Sequence, residues 1–163
     1  MAIIKPNNNT ISAITALPAA ISTGKVLQVV TAKHNTQFNT TSTSFVAVTG
    51  LEANITPSSA SNKVYILVHF TGRQESAGKT IDTTIYRNDT TNLATNTSTA
   101  MMGLYNTDND DYKGYFMNYL DSPSSTSAVN YQVYMKVDSS SIGGLMVNSN
   151  TAVITLMEIA AWL

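Results

Sequence analysis

The chain has 163 residues, a net charge of −1 and 12% charged residues, about half of the usual ~25%. That length fits one domain with a tail and is enough to bury a sizeable core, and the charge balance gives no pull towards nucleic acid or an anionic membrane. The absence of cysteine excludes disulfides, thiolate catalysis and cysteine metal sites, and the 17 Ser, 23 Thr and 16 Asn that stand in for charge favour turns and strands over helix.

Residues 1–24, MAIIKPNNNTISAITALPAAISTG, stand apart from the rest. They lack the basic segment and long apolar run of a secretory signal, and Pro18 argues against a long helix. The spacing of Ile11, Ile14, Leu17 and Ile21 reads as apolar anchors on an extended N-terminal arm. Residues 25–163 read as one β-sandwich domain.

Strand signals begin after Gly24. KVLQVVTAK (25–33) alternates, with Val26, Val30 and Ala32 on one face and Leu27 and Val29 on the other. SFVAVTG (44–50) and LEANITP (51–57) are two short alternating pieces. NKVYILVHFTG (62–72) is apolar on both faces, which predicts a central strand lying between sheets or between subunits. KTIDTTIYRN (79–88) alternates, YKGYFMNYLD (112–121) is aromatic-rich, and VNYQVYMKVD (129–138) turns Tyr131, Val133, Met135 and Val137 inward. TAVITLMEIAAWL (151–163) closes the chain as a long apolar strand. The connectors TPSSASN, DSPSSTS and DSSSIGG carry turn chemistry, and two stretches, 91–100 and 105–114, read as longer loops. The predicted fold is all-β, a jelly-roll-like antiparallel β-sandwich. No apolar run approaches ~18 residues, so no membrane-spanning helix is predicted.

The residues that hint at chemistry carry little of it. Gly72 followed by Gly78-Lys79-Thr80 looks like a phosphate-binding loop, but the spacing is one residue too long and a strand follows where a helix is needed. RQESAG is instead expected to be a hairpin loop. Asn106, Asp108 and Asp110 have the spacing of a calcium loop, but Asp111 stands where Gly is required and Met117 where Glu is required. A looser ligand loop remains at Asp108, Asp110, Asp111, Tyr112 and Tyr115, where exposed tyrosines beside acids and amides suit a carbohydrate platform. The competing reading of those tyrosines is packing. The two histidines supply too few zinc ligands, and His69, on the doubly apolar strand, is expected in a core or an interface. No Gly-x-Ser-x-Gly elbow is present, and only Glu52, Glu75 and Glu158 could supply glutamates to an acid pair. No enzyme activity and no cofactor are expected.

GKVLQVV (24–30), TSTSFVAVTGLEANITPSSASNKVYILV (41–68), YLDSPSSTSAVNYQVYMKV (119–137) and AVITLMEIAA (152–161) occur in that order. As a series they resemble small virion structural proteins of tailed phages, especially phages of cyanobacteria and other aquatic bacteria. The resemblance covers most of 24–161 and leaves out the arm and the loops at 91–114. It implies a jelly-roll-like sandwich similar to the globular trimers of complement and tumour-necrosis-factor relatives. It also implies a homotrimer and no catalytic residues. Within that family the expected role is a capsid decoration (cement) protein on the capsid surface, with the chain itself and the major capsid protein of the phage head as partners and with no nucleic-acid or membrane partner. The sequence has no heptads and no internal repeats that would build a fibre shaft. The alternative is the receptor-binding head of a tail fibre or spike, adhering to host glycan.

Overall fold

The computed structural model describes residues 25–94, 100–139 and 141–161. The arm anchors Ile11, Ile14, Leu17 and Ile21 lie outside these described residues. The strands are β1 (Val26–His34), β2 (Phe38–Thr40), β3 (Val46–Ile55), β4 (Lys63–Gln74), β5 (Lys79–Arg87), β6 (Thr91–Asn92), β7 (Met102–Asn106), β8 (Asp111–Asp121), β9 (Val129–Val137), β10 (Gly143–Leu145) and β11 (Ala152–Ile159). One 3-10 turn, Val147–Ser149, is the only helical element among the described residues.

The strands form two antiparallel sheets. The first runs β1-β11-β4-β8, with β10 and then β2 continuing beside the far half of β4. The second runs β3-β9-β5, and β6 and β7 share the remaining edge of β5. Counting the main strands β1, β3, β4, β5, β7, β8, β9 and β11, the first pairs with the last, the second with the seventh, the third with the sixth and the fourth with the fifth. This nested pairing is the jelly-roll wind, so the predicted fold class holds.

Alternation builds the core. Val64, Ile66, Val68 and Phe70 from β4 and Ile154 and Leu156 from β11 point inward from the first sheet, and all are buried. Ile81, Ile85, Tyr131, Val133 and Met135 meet them from the second. Two-residue periodicity places each of these correctly from sequence alone.

Four expectations change. RQESAG is not a hairpin loop: β4 and β5 lie in opposite sheets, and residues 75–78 form a corner between them. Gly78 takes φ +72° there, and its N–H donates to the Asn106 carbonyl at 2.7 Å. SFVAVTG and LEANITP are one strand, β3, interrupted by an irregularity. From Ala47 to Glu52, β3 advances five residues while β9 advances from Tyr134 only to Gln132, with Gly50 at φ +85° inside the excess. The stretch 105–114 is mostly strand, because β7 ends at Asn106 and β8 starts at Asp111. Finally, His69 is exposed: one apolar face of β4 fills the core, and the other lies on the outside of the sheet.

Candidate functional site

The outer surfaces of the two sheets differ. On the second sheet the outward side chains are mostly polar or tyrosine, and several find partners. Asn130 donates to Glu52 at 2.9 Å, Thr84 donates to Asn92 at 2.6 Å, and the Tyr134 hydroxyl donates to Asp89 at 3.2 Å. Lys136 pairs with Asp82 at 3.6 Å, and the rings of Tyr86 and Tyr134 stack with centroids 4.1 Å apart. This is the usual division of an antiparallel sheet, apolar inside and polar outside.

The first sheet departs from it. Strand register aligns its outward residues into rows that cross the sheet. One row is Val29, Met157, Tyr65 and Leu120; the next is Thr31, Thr155, Leu67 and Asn118; the next is Lys33, Val153, His69 and Phe116. Val29, Phe116 and Leu120 are 55%, 54% and 48% exposed. The outward positions of these four strands include Lys33, Lys63 and Arg73 but no Asp or Glu. Val29, Tyr65, Leu67, Met157, Phe116 and Leu120 on this face are interspersed with Thr31, Thr155, Asn118, Lys33 and His69.

The residues of the anticipated ligand loop are distributed over different surfaces. Tyr112 is half exposed on the outer face of the first sheet, with the Arg73 guanidinium 6.0 Å from its ring centre. Tyr105, its neighbour across the turn, lies instead on the outer face of the second sheet, opposite Thr80. Tyr115 points inward, stacks on Phe70 at 5.1 Å and is buried. Burial, reinforced by the charges of Asp111 and Asp82, pushes its phenol up. The acids are already engaged: Asp110 lies 3.6 Å from Arg73 Nε, Asp111 pairs with Lys113 at 2.5 Å, and Asp108 accepts from Thr107 at 3.3 Å. No group of three or more metal-ligating side chains comes together among the described residues.

Two buried carboxylates have structural roles that the sequence reading, which named Glu158 only as a possible member of an acid pair, did not assign. Glu158 on β11 and Asp121 on β8 flank Val64 of β4 from opposite sides. Glu158 is only 1% exposed. Its Oε1 accepts from the Ser58 N–H at 2.7 Å, the Ser58 hydroxyl at 2.7 Å and the Asn62 amide at 2.5 Å, and its Oε2 accepts from Gln28 at 2.7 Å. Burial acts to raise its pKa, but the bonds from Asn62, Ser58 and Gln28 together outweigh it and bring the carboxyl to about 2. Asp121 accepts from Arg87 Nη1 with both oxygens at 2.9 Å and from the Tyr131 hydroxyl at 2.7 Å. A general acid must keep its proton near neutral pH, and Glu158 is tuned the opposite way. These groups are locks: Glu158 ties together β1, β11 and the 56–62 turn, while Asp121 ties β8 to β5 and β9. The available signal was parity, since Glu158 shares its inward face with Ala152, Ile154 and Leu156.

No family model matches the sequence, and no curated protein matches it. Among solved structures, the chain is similar to chains in three of infectious bursal disease virus. For the Gt strain the TM-score is 0.49 at 14% identity, covering 83% of this chain and 38% of the other. For the VP2 subviral particle the TM-score is 0.48 at 14% identity, covering 83% and 38%. For a crystal structure of the viral particle the TM-score is 0.48 at 15% identity, covering 91% and 40%. The chain therefore spans about two fifths of the length of the chains it matches.

Proposed function

We propose that this chain is a virus structural protein, and within that class a homotrimeric capsid decoration protein of a tailed phage that stabilises the assembled head. The observation that carries the reading is the set of exposed apolar side chains on the outer face of the first sheet, Val29, Phe116 and Leu120 among them, which no described residue covers, beside the more polar and more hydrogen-bonded outer face of the second. Such a molecule is built to be covered by protein. The ordered series of segments resembling phage virion proteins supports the same class, and each segment supplies part of the scaffold: Gln28, Ser58, Asp121 and Glu158 come from four of its motifs and are spent on the two locks. Low charge suits permanent contacts, because interface cores are depleted of charge.

The mechanism is mass action. A ligand that binds only the assembled shell stabilises it by roughly 2.7 kcal/mol when present at about 100 times its dissociation constant. The partner is the major capsid protein, engaged at the capsid surface, and Ile11, Ile14, Leu17 and Ile21 of the arm hook neighbouring subunits or the shell. The test is to count and locate the copies in intact virions. Hundreds on the head support decoration, and a few dozen or fewer at the tail refute it. A variant lacking residues 1–24 that bound capsids with full affinity would remove the arm from the mechanism.

One observation favours the second reading, a receptor-binding head. The half-exposed Tyr112 ring, backed by Arg73 and next to Asp110, offers an apolar face with polar neighbours to a host glycan. Glycan binding abolished by Tyr112→Ala supports it, and no binding on a broad glycan array refutes it.

A further inference from the structure

We propose that the far end of the first sheet is a binding site for a neutral oligosaccharide: a groove that runs from the Tyr112 ring across Arg73 to a cavity lined by Asn39, Thr40, Thr41, Glu75 and Ile142. This rests on the glycan-binding reading of Tyr112, and it holds for a chain on the head or on the tail alike.

The first argument is register. Tyr112 pairs with Arg73, Arg73 with Gly144, and Gly144 with Asn39, so the four form one row across β8, β4, β10 and β2. At ~4.8 Å per strand the row is roughly 14 Å long, a span that takes more than one sugar ring. Gly144 is its floor. A Cβ on the neighbouring Gly143 would enter the core, 2.7 Å from Val137 Cγ1, so Gly144 faces out. A Cβ on Gly144 would lie 2.5 Å from Asn39 Oδ1, so the Asn39 amide occupies the space that a side chain would fill. The cavity has a volume of about 380 Å³, within the ~300–1,000 Å³ of small-ligand sites.

The second argument is what the lining offers. A sugar hydroxyl both donates and accepts, so its recognition needs donors and acceptors side by side that the protein has not used. Asn39 Oδ1 accepts from Gln37 at 3.0 Å, which leaves its Nδ2 with no acceptor among the described residues. Thr40 Oγ1 accepts from the Ser42 N–H at 3.0 Å and keeps its own proton to donate. The Thr41 hydroxyl has no partner among the described residues. Glu75 gives Oε1 to Arg73, and no described residue donates to its Oε2. Ile142, 37% exposed, adds an apolar wall, and the Tyr112 ring gives the apolar face of a sugar a surface to lie on.

The third argument is charge. Arg73, the cation of the row, is held between Glu75 and Asp110. The two acids outnumber it, so a phosphate, sulfate or carboxylate would meet repulsion and find no cation to spare. A metal ion would find no group of three ligating side chains among the described residues. A neutral saccharide incurs neither penalty, with Glu75 as acceptor and Asn39 as donor to its hydroxyls.

The experiment presents the full chain to a glycan array that carries neutral, sialylated and uronate-terminated members. Binding is expected among the neutral members and not among the acidic ones. Titration calorimetry then uses the neutral member that binds best. Asn39→Ala is expected to weaken binding roughly fivefold, and Glu75→Gln roughly tenfold or more. Glu75→Gln also loosens Arg73 and could act through Tyr112. Asn39→Ala touches neither Arg73 nor Tyr112, so it separates the cavity from the ring. Thermal unfolding of each variant checks the fold.

Loss of binding in Tyr112→Ala, with Asn39→Ala and Glu75→Gln at full affinity, overturns the cavity and leaves the glycan reading intact. Acidic members that bind as well as neutral ones overturn the assignment of a neutral ligand. No binding to any member of the array overturns both the groove and the glycan reading.

Discussion

The side-chain Nδ2 of Asn62 donates to the buried carboxylate of Glu158 at 2.5 Å, while the side-chain Oδ1 of Asn62 accepts the N–H of Ala161 at 3.0 Å. One asparagine in the turn before β4 therefore holds both the last strand and Ala161, two residues beyond its end. Gln28 reaches the same carboxylate from β1, and Ala160 donates to the Lys25 carbonyl at 2.9 Å. The start of β1 and the end of β11, the two ends of the sandwich, are fastened at this point, which is also where residues 1–24 join the domain.

This lock sets an acid limit. The folded carboxyl lies at about 2 against an ordinary 4.5, so on acidification the unfolded chain takes up its proton first. The contribution of Glu158 is fully present above about 4.5 and is lost as pH falls through about 2. Its size is roughly 3 kcal/mol. Urea unfolding midpoints measured from pH 6 to pH 2 are expected to fall across that window. Glu158→Gln is expected to lower stability at pH 7 by about 2–4 kcal/mol, because its amide group meets donors where an acceptor is needed, and to flatten the acid slope. An unchanged slope in the variant would show that other carboxylates carry it.

The second lock fails differently. Arg87 supplies the positive charge facing the buried Asp121, and Tyr131 supplies a neutral donor. Arg87→Met leaves the carboxylate buried with the phenol alone, and a loss of about 3–5 kcal/mol is expected. Arg87→Met combined with Asp121→Leu is expected to recover much of that loss, because no unpaired charge remains. Chemical denaturation of the four members of the cycle gives the answer. Equal losses in the single and double variants would mean that Arg87 acts through its packing.

Two glycines separate packing from backbone freedom. A Cβ on Gly72 would lie 2.4 Å from Tyr115 Cε2, while a Cβ on Gly114 meets nothing within 4 Å. Neither residue has a positive φ. Gly72→Ala is expected to cost about 1–3 kcal/mol through overpacking against a ring held on Phe70. Gly114→Ala is expected to be neutral or to stabilise by about 0.4–1 kcal/mol, by restricting the unfolded chain. Thermal unfolding of both variants is the check, and similar losses in the two would contradict the Tyr115 contact.

Period-two alternation made much of this fold legible. It located β4, β5, β8, β9 and β11 and the inward sides of most of them, because a half-buried strand writes its two faces into the sequence. Tyr112 and Tyr115 are an odd number of residues apart, which puts them on opposite faces of β8, yet reading the start of β8 as loop placed them on one platform. The path from β4 to β5 was not legible, since a hairpin loop and a corner between sheets use the same turn residues and only the distant partners β8 and β9 decide between them. His69 lies outside the core, one of its two expected places, for a related reason. An apolar face has the same pattern whether a second sheet covers it or none of the described residues does. The Glu158 lock was visible as a charge at an inward position, but its donors Ser58 and Asn62 are about a hundred residues away and no local pattern connects them.

The join between β1 and β3 offers the most direct test of a local contact. The His34 ring covers Gly50, where an added Cβ would sit 2.4 Å from Cε1 and 2.5 Å from Nδ1. Gly50 also takes φ +85°, a conformation that L-residues rarely adopt. Gly50→Ala therefore meets two separable penalties: about 1 kcal/mol or more for the backbone and a further ~1–3 kcal/mol for the clash with the imidazole. His34→Ala removes the clash and leaves the backbone term. The double variant is expected to be more stable than the sum of the single losses allows, with a coupling of about 1–2 kcal/mol read from urea midpoints in a double-mutant cycle. Additive losses would mean that the ring moves aside at no cost, and the irregularity in β3 would then owe its glycine to the backbone alone.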